Sequence, residues 1–380
     1  MDGAAQGFVE GVKKHFADLE DPRCLKSCDH LLFDLVVVSI LAVASGADNW
    51  CDLATFARIR LEWLKTFLEL PGGAPSHDTF RRVFGLLERN RFAEHLFHWT
   101  QALHEATGGK LLGIDGKTLR RSFAKKSGLK ALHLVTAWAS DNGLTLGQVA
   151  CEEKSNEIAA IPQLLKLLSL KGCTVTIDAM GCQTAIVEEI VEQEGHYVLA
   201  VKENQPTLHA DLQALLEAAR APGGAASRHA AHATTETAHG RHTERTYEAI
   251  AIPRDHPQRQ KWRGLRTLVV NTCRVVKDDK ETCATRMFIS DLASRAKALG
   301  AAIRKHWGIE NSQHWVLDVA FGEDAERQQD RNGAANLAAV RRLAVSLLRQ
   351  EATLKRGAKG KRLACALDTN YLLKVLAAGK

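Results

Sequence analysis

The chain has 380 residues, 45% of them hydrophobic and 25% charged, with a formal net charge of +7 and a pI near 8.9. That length accommodates two or three domains around a substantial core, and the balance is that of an ordinary globular protein. The start lacks the apolar core of a signal peptide, Leu31 to Gly46 is broken by Asp34 and too short to span a bilayer, and nine cysteines without a CxxC pair fit reduced thiols, which argues against a secreted or membrane protein.

A cytoplasmic location is therefore expected, with no membrane contact. The positive excess is concentrated late: Arg331 to Lys380 holds eleven Lys/Arg against Glu351 and Asp368, which points to a polyanionic partner.

Residues 1–107 read as a helical domain. Leu31 to Ala44 is an apolar helix, and Cys51 to Leu70 and Phe80 to Glu105 follow, the last opened by the capping run Pro75-Ser76-His77-Asp78. Cys24, Cys28 and His30 lie close together, but no fourth zinc ligand is apparent.

From Leu111 the periodicity changes to strands, and residues 108–219 read as the first part of an α/β core. Lys110 to Ser122 delivers Asp115 at the end of a short apolar run, before Lys117, Arg120 and Arg121, where phosphate could be met. Asp-Gly is equally a hairpin dipeptide, so Asp115 alone decides nothing. Ala131 to Ala139 and Leu144 to Cys151 read as a hairpin across Asp141-Asn142-Gly143. Asn156 to Ser169 is helix, Cys173 to Ile177 is a strand ending in Asp178, Gln183 to Glu194 is helix, Tyr197 to Val201 is strand and Thr207 to Ala219 is helix. This is the order of a ribonuclease H-like fold.

Residues 220–291 read as a β-rich insertion: a loop over 220–242 containing His229, His232, His239 and His242, then strands Thr246 to Ile252, Leu265 to Val276 and Cys283 to Ser290. Residues 292–350 form the helical end of the core, with one helix from Leu292 through Arg304, His306, Glu310 and His314 towards Phe321 and another over Asn336 to Arg349. Residues 351–380 read as a basic tail with a linker over Lys355 to Arg362. Trp307 and Trp315 read as core anchors.

Asp115 and Asp178 each end a buried strand, and the topology makes those strands neighbours. Two facing carboxylates without a cation would repel, so a divalent ion between them is the natural resolution, and hard oxygen ligands favour magnesium or manganese. Glu310 is the best third acid, with Glu323 and Asp324 as competitors. On an unbroken helix, His306, Glu310 and His314 would share one face.

The segments Gly113-Ile-Asp-Gly-Lys-Thr-Leu-Arg120, Thr176-Ile-Asp-Ala-Met-Gly-Cys-Gln183, Tyr197-Val-Leu-Ala-Val-Lys-Glu-Asn-Gln205 and His306-Trp-Gly-Ile-Glu-Asn-Ser-Gln-His-Trp315 resemble the H-repeat-associated insertion-sequence transposases of the DDE superfamily. Asp21-Pro22-Arg23, Gly46-Ala-Asp-Asn-Trp50 and Pro75-Ser-His-Asp-Thr-Phe80 resemble that group's amino-terminal helical domain, so the likeness covers nearly the whole chain. The resemblance implies a mobile-element transposase that binds terminal inverted repeats and target DNA as a homodimer, is nucleoid-associated when bound, and cuts and joins strands with two Mg2+ (or Mn2+) ions held by Asp115, Asp178 and Glu310. Lys202, Asn204 and Gln205 would lie near DNA, with Lys117, Arg120, Arg121, Arg304, His306 and His314 as further contacts. The chain departs from better-known cut-and-paste relatives, which carry Tyr, Arg, Glu and Lys along the glutamate helix; here Ile303, His306, Glu310 and Leu317 stand in that register. Alternatives are a DNA-binding remnant without turnover, or a nuclease without strand transfer.

Overall fold

A computed structural model describes the chain apart from residues 1–2, 17, 25, 27, 125–127, 153–155, 222–228, 239, 279 and 379–380. It divides into two compact units, one of Met1–Gly109, Gly116–Ala160 and Ile309–Lys380, the other of Lys110–Asp115 and Ile161–Gly308. No helix among the described residues is long and apolar enough to cross a membrane.

The first unit opens with α1 (Gly3–Phe16) and α2 (Leu32–Ala44), the latter buried almost throughout because its sequence is apolar on every face. Its one charged residue, Asp34, accepts a 2.7 Å hydrogen bond from the backbone N–H of Leu70, which has a left-handed φ of 41°. The expected helix over Cys51 to Leu70 is α3 (Trp50–Ile59) and a short α4 (Leu61–Leu64). The expected single helix from Phe80 to Glu105 is two: α5 (His77–Leu86), capped by Ser76, and α6 (Arg89–Thr107), capped by Glu88, whose carboxylate accepts from Asn90 and Arg91 N–H. The carbonyls of Phe84 and Leu87, released at that break, accept from Asn336 Nδ2 at 2.8 and 3.0 Å.

Strand β1 (Leu111–Thr118) carries Asp115 and Gly116 in its middle, and β2 (His133–Ala139) and β3 (Leu144–Cys151) form the expected antiparallel hairpin, with an irregularity at Ala137/Trp138. Between the hairpin and β4 (Thr174–Ile177) runs α7 (Glu157–Lys166); α8 (Thr184–Glu192), β5 (His196–Val201) and α9 (Pro206–Arg220) follow. Within the second unit β1 pairs with β4 and β4 with β5, all parallel. The mixed α/β order behind a helical amino-terminal region is that of a ribonuclease H-like fold.

Within the loop expected over 220–242, the described residues from His229 form strands, while residues 222–228 and 239, with His239, lie outside the described residues. β6 (His229–Ala238) pairs residue for residue with β7 (Arg241–Ala251), then come the one-turn α10 (Gln258–Lys261), β8 (Thr267–Lys277) and β9 (Lys280–Ser290). β9 pairs antiparallel with β5, giving the order β1-β4-β5-β9-β8-β7-β6. The β6 sequence, all Ala, Thr, His and Glu, conceals an edge strand because its exposed position requires little apolar burial.

The expected unbroken helix to Phe321 is α11 (Ala296–His306), a turn at Trp307, a π-helical turn over Glu310–His314 and α12 (Trp315–Phe321). α13 (Arg331–Gln350), capped by Asp330, is buried from Gly333 to Leu348 and forms the axis of the first unit's core. The presumed basic tail is folded too, as α14 (Ala358–Leu367) and α15 (Thr369–Ala377). Lys361 Nζ donates to the Leu348 carbonyl at 2.8 Å, and Arg362 donates to the Val43 and Ala47 carbonyls and pairs with Asp48. Of the late basic residues, Arg341, Arg342, Lys361 and Arg362 are therefore buried cations rather than a solvated polyanion grip.

Candidate active site

The parallel register of β1 with β4 runs Leu111↔Thr174 to Ile114↔Ile177; Asp115 follows Ile114 within β1, and Asp178 follows Ile177, the last residue of β4, as the cap of the next turn. Asp-Gly does not turn here, because both residues continue β1. Gly116 is required by packing: a Cβ there would lie 2.2 Å from His133 Nε2 and 2.8 Å from Glu157 Oε1. His133 and Glu157 form a buried pair at 3.1 Å that the sequence reading missed; its only signal was the small residue after Asp115.

Asp178 accepts hydrogen bonds from Met180 N–H (3.0 Å) and Gly181 N–H (3.4 Å), fixing its carboxylate at the strand end. The loop after β5 braces this turn. Asn204 Nδ2 donates to the Ala179 carbonyl at 2.7 Å, and Gln205 Nε2 to the Cys182 carbonyl at 2.9 Å, so two proposed DNA contacts have their amides engaged in holding the Asp178 turn, while Lys202 is exposed. His306 Nδ1 lies 2.9 Å from Thr176 Oγ1, whose hydroxyl donates to the Leu112 carbonyl. Burial pushes the His306 pKa below its ordinary value, opposed by the nearby charge of Asp178, and favours a neutral imidazole. Arg304 is exposed, 3.4 Å from Glu236, which also binds Arg245.

The first unit contains the other acids. Glu310 is exposed at the head of the π turn, a distortion frequent at functional sites. The Trp307 turn and this π segment break the 3.6-residue period, so His306, Glu310 and His314 do not share one α-helical face. Burial, with Arg342, Lys117 and His133 nearby, pushes the His314 pKa down to about 3. Trp315 is 60% exposed and no core anchor.

Lys117 is buried, its ammonium 2.7 Å from Asp318, 3.2 Å from Asp324 and 3.8 Å from Glu323. Glu323 also pairs with Arg342 at 2.8 Å, both side chains fully buried. Arg120, though largely exposed, is 3.1 Å from Asp324, and Arg121 donates to the Ala325 carbonyl at 3.5 Å. Glu323 and Asp324 are thus already neutralised by fixed cations, whereas no such pair is formed by Glu310 among the described residues. The carboxylates of Asp115 and Asp178 are hard oxygen donors of the kind that suit Mg2+ or Mn2+. Among the described residues no three His, Cys, Asp or Glu side chains converge on one metal position.

Comparison with known proteins shows the family. A family model described as "Transposase DDE domain" matches residues 106–347, and one described as "DDE_Tnp_1-associated" matches residues 13–100. The chain is 38% identical over 375 residues to a protein of Escherichia coli O157:H7 named "Putative transposase YncI", covering 97% of this chain and 95% of that one. It is 34% identical over 376 residues to the "H repeat-associated putative transposase YhhI" of Escherichia coli K12, covering 97% and 98%. A short relative, the "Inactive transposase YbfQ" of the same strain, matches 75 residues at 36% identity.

Proposed function

This chain belongs to the DDE transposase family, and from that footing we propose that it binds the terminal inverted repeats of an insertion sequence and catalyses metal-dependent DNA cleavage and strand transfer, acting as a homodimer on DNA. The observation that carries the reading is that Asp115 and Asp178 directly follow Ile114 and Ile177, which pair on adjacent parallel strands, although β1 runs on past Asp115 to Thr118 instead of ending there as the sequence suggested. Glu310 completes the acid set, a choice supported by its exposure and by the pairing of Glu323 and Asp324 with Lys117, Arg342 and Arg120.

Transposase DDE domains generally use divalent metal ions. Held by Asp115, Asp178 and Glu310, two Mg2+ or Mn2+ ions would activate the attacking water or 3′-hydroxyl and stabilise the leaving oxygen. The protein's part is to hold the carboxylates still. Asp178 is fixed by two backbone N–H groups, the turn beneath it is braced by Asn204 and Gln205, and the neutral His306 adds no competing positive charge beside it. Lys202 is exposed to phosphates on the surface; Arg120, Arg121 and Arg304 are exposed as well but would have to share their contacts to Asp324, the Ala325 carbonyl and Glu236. Lys117 serves as an internal counterion, and His314 as a half-buried neutral group.

End-labelled element DNA tests this. The wild-type protein should cut at the terminal repeats and join those ends to a target in Mg2+, while Asp115→Asn and Asp178→Asn should bind but cleave roughly a thousandfold more slowly or worse. Cleavage without joining would make it a nuclease. Turnover within about tenfold of wild type in either variant would remove the acids from the mechanism.

A further inference from the structure

Beyond the acid site, we propose that the connection between β7 and β8 builds a second anion site that takes the phosphate backbone of DNA. Residues 254–266 contain Arg254, Arg259, Lys261, Arg263 and Arg266 against a single acid, Asp255. Three of these, Arg254, Arg259 and Arg266, line one cavity of about 940 Å3 together with His229 and the small residues Ala218 and Ala219 of α9. Among the described residues, no carboxylate lines it.

The pairing of the neighbouring charges separates these arginines from the rest of the unit. Arg220 is held by Glu248, Arg245 by Glu236, Arg263 by Glu192 and Arg274 by Glu281. Among the described residues, Arg254 and Arg266 form no ion pair, and the Arg259 guanidinium donates to the Ile252 carbonyl at 3.3 Å. Acids of the flanking elements are otherwise engaged: Glu248 by Arg220 and His229, Asp211 by Gln258, and Asp291 by His196 and the Tyr197 N–H, which leaves Asp255 as the one acid within the loop itself. Concentrated positive charge without internal counterions is an electrostatic invitation to an external polyanion.

The loop that presents the arginines is anchored rather than loose. Trp262 is fully buried, Gln258 Nε2 donates to Asp211 of α9 at 2.7 Å, and Arg266 is fixed through its own N–H to the Ser290 carbonyl at 3.0 Å. Its place is distinct from the acids. Ser290 pairs with Val198 near the start of β5, whereas Asp178 follows the last residue of β4 three strands from β8. The site is thus suited to hold DNA away from the bond being cut. It rests on the reading that this chain acts on DNA.

The test uses the full chain carrying Asp115→Asn, so that DNA stays intact, and fluorescence anisotropy with a labelled duplex bearing the terminal repeat between 0.05 and 0.3 M NaCl. Arg254→Ala with Arg266→Ala should lower the magnitude of the log–log salt slope by about 1.8, the loss of two phosphate contacts, and weaken binding roughly 10–100-fold near 0.1 M salt. Replacing both by Lys should restore most of the slope. An unchanged slope in the double Ala variant would overturn the second site while leaving the transposase reading intact; no duplex binding by the parent protein would sink that reading itself. Stoichiometric binding of ADP, lost in the double Ala variant while the DNA slope stays put, would assign the cavity to free nucleotides and overturn the proposal.

Discussion

Glu310→Gln and Glu323→Gln should fail in opposite ways. Glu310 is exposed, so amidation removes a charge that water solvates well and should leave thermal stability within about 0.5 kcal/mol of wild type. Glu323 and Arg342 are both fully buried and 2.8 Å apart, with Lys117 3.8 Å from the same carboxylate. Neutralising Glu323 leaves a buried guanidinium short of its counterion, a defect of about 3–5 kcal/mol when the partner is lost outright. At about 2–4 °C per kcal/mol for a unit of this size, the melting temperature should fall by roughly 6–20 °C. The assay pairs differential scanning calorimetry with Mg2+- and Mn2+-titrated cleavage of end-labelled DNA, run well below the lower melting point. The expected outcome is a stable, inactive Glu310→Gln protein and a destabilised Glu323→Gln protein that still cuts. A Glu323→Gln protein of wild-type stability and no activity, beside a normally active Glu310→Gln protein, would refute the third-acid assignment and the structural role of the buried pair together.

Gly116→Ala should cost about 1–3 kcal/mol by overpacking against His133 and Glu157, read as a lower denaturation midpoint; His133→Ala in the same chain should recover part of it. Deleting Lys355 to Lys380 should yield an unfolded or aggregated first unit by circular dichroism, rather than a folded protein with weaker DNA binding, because Arg362, Leu372, Val375 and Leu376 are buried. His314 also makes stability pH-dependent. Its folded pKa near 3 lies below the unfolded value near 6.5, so the unfolded chain binds the extra proton and stability present above pH 6.5 is lost as pH falls towards 3, up to about 4–5 kcal/mol. Denaturation midpoints measured from pH 7 to pH 4 should show that slope, and His314→Gln should flatten it.

The sequence alone determined the parts that follow from local pattern. Alternating and continuous apolar runs marked β1 to β5, and a carboxylate closing two such runs was visible as Asp115 and Asp178 before any pairing was known. Capping side chains at Ser76 and the Asp141-Asn142-Gly143 turn likewise act within a few residues. What only the tertiary structure decided concerns side chains whose meaning depends on distant partners. Lys117 stands in a run that looks open to phosphate, yet carboxylates some 200 positions later hold it inside. Arg342, Lys361 and Arg362 look like a solvated basic tail, but the carbonyls and acids of other elements bury them. β6 lacks the apolar signature of a strand because an edge needs backbone pairing more than burial, and the break at Glu310 is invisible because a π turn leaves no compositional mark. Charge and apolarity are properties of a residue, but burial and pairing belong to the fold.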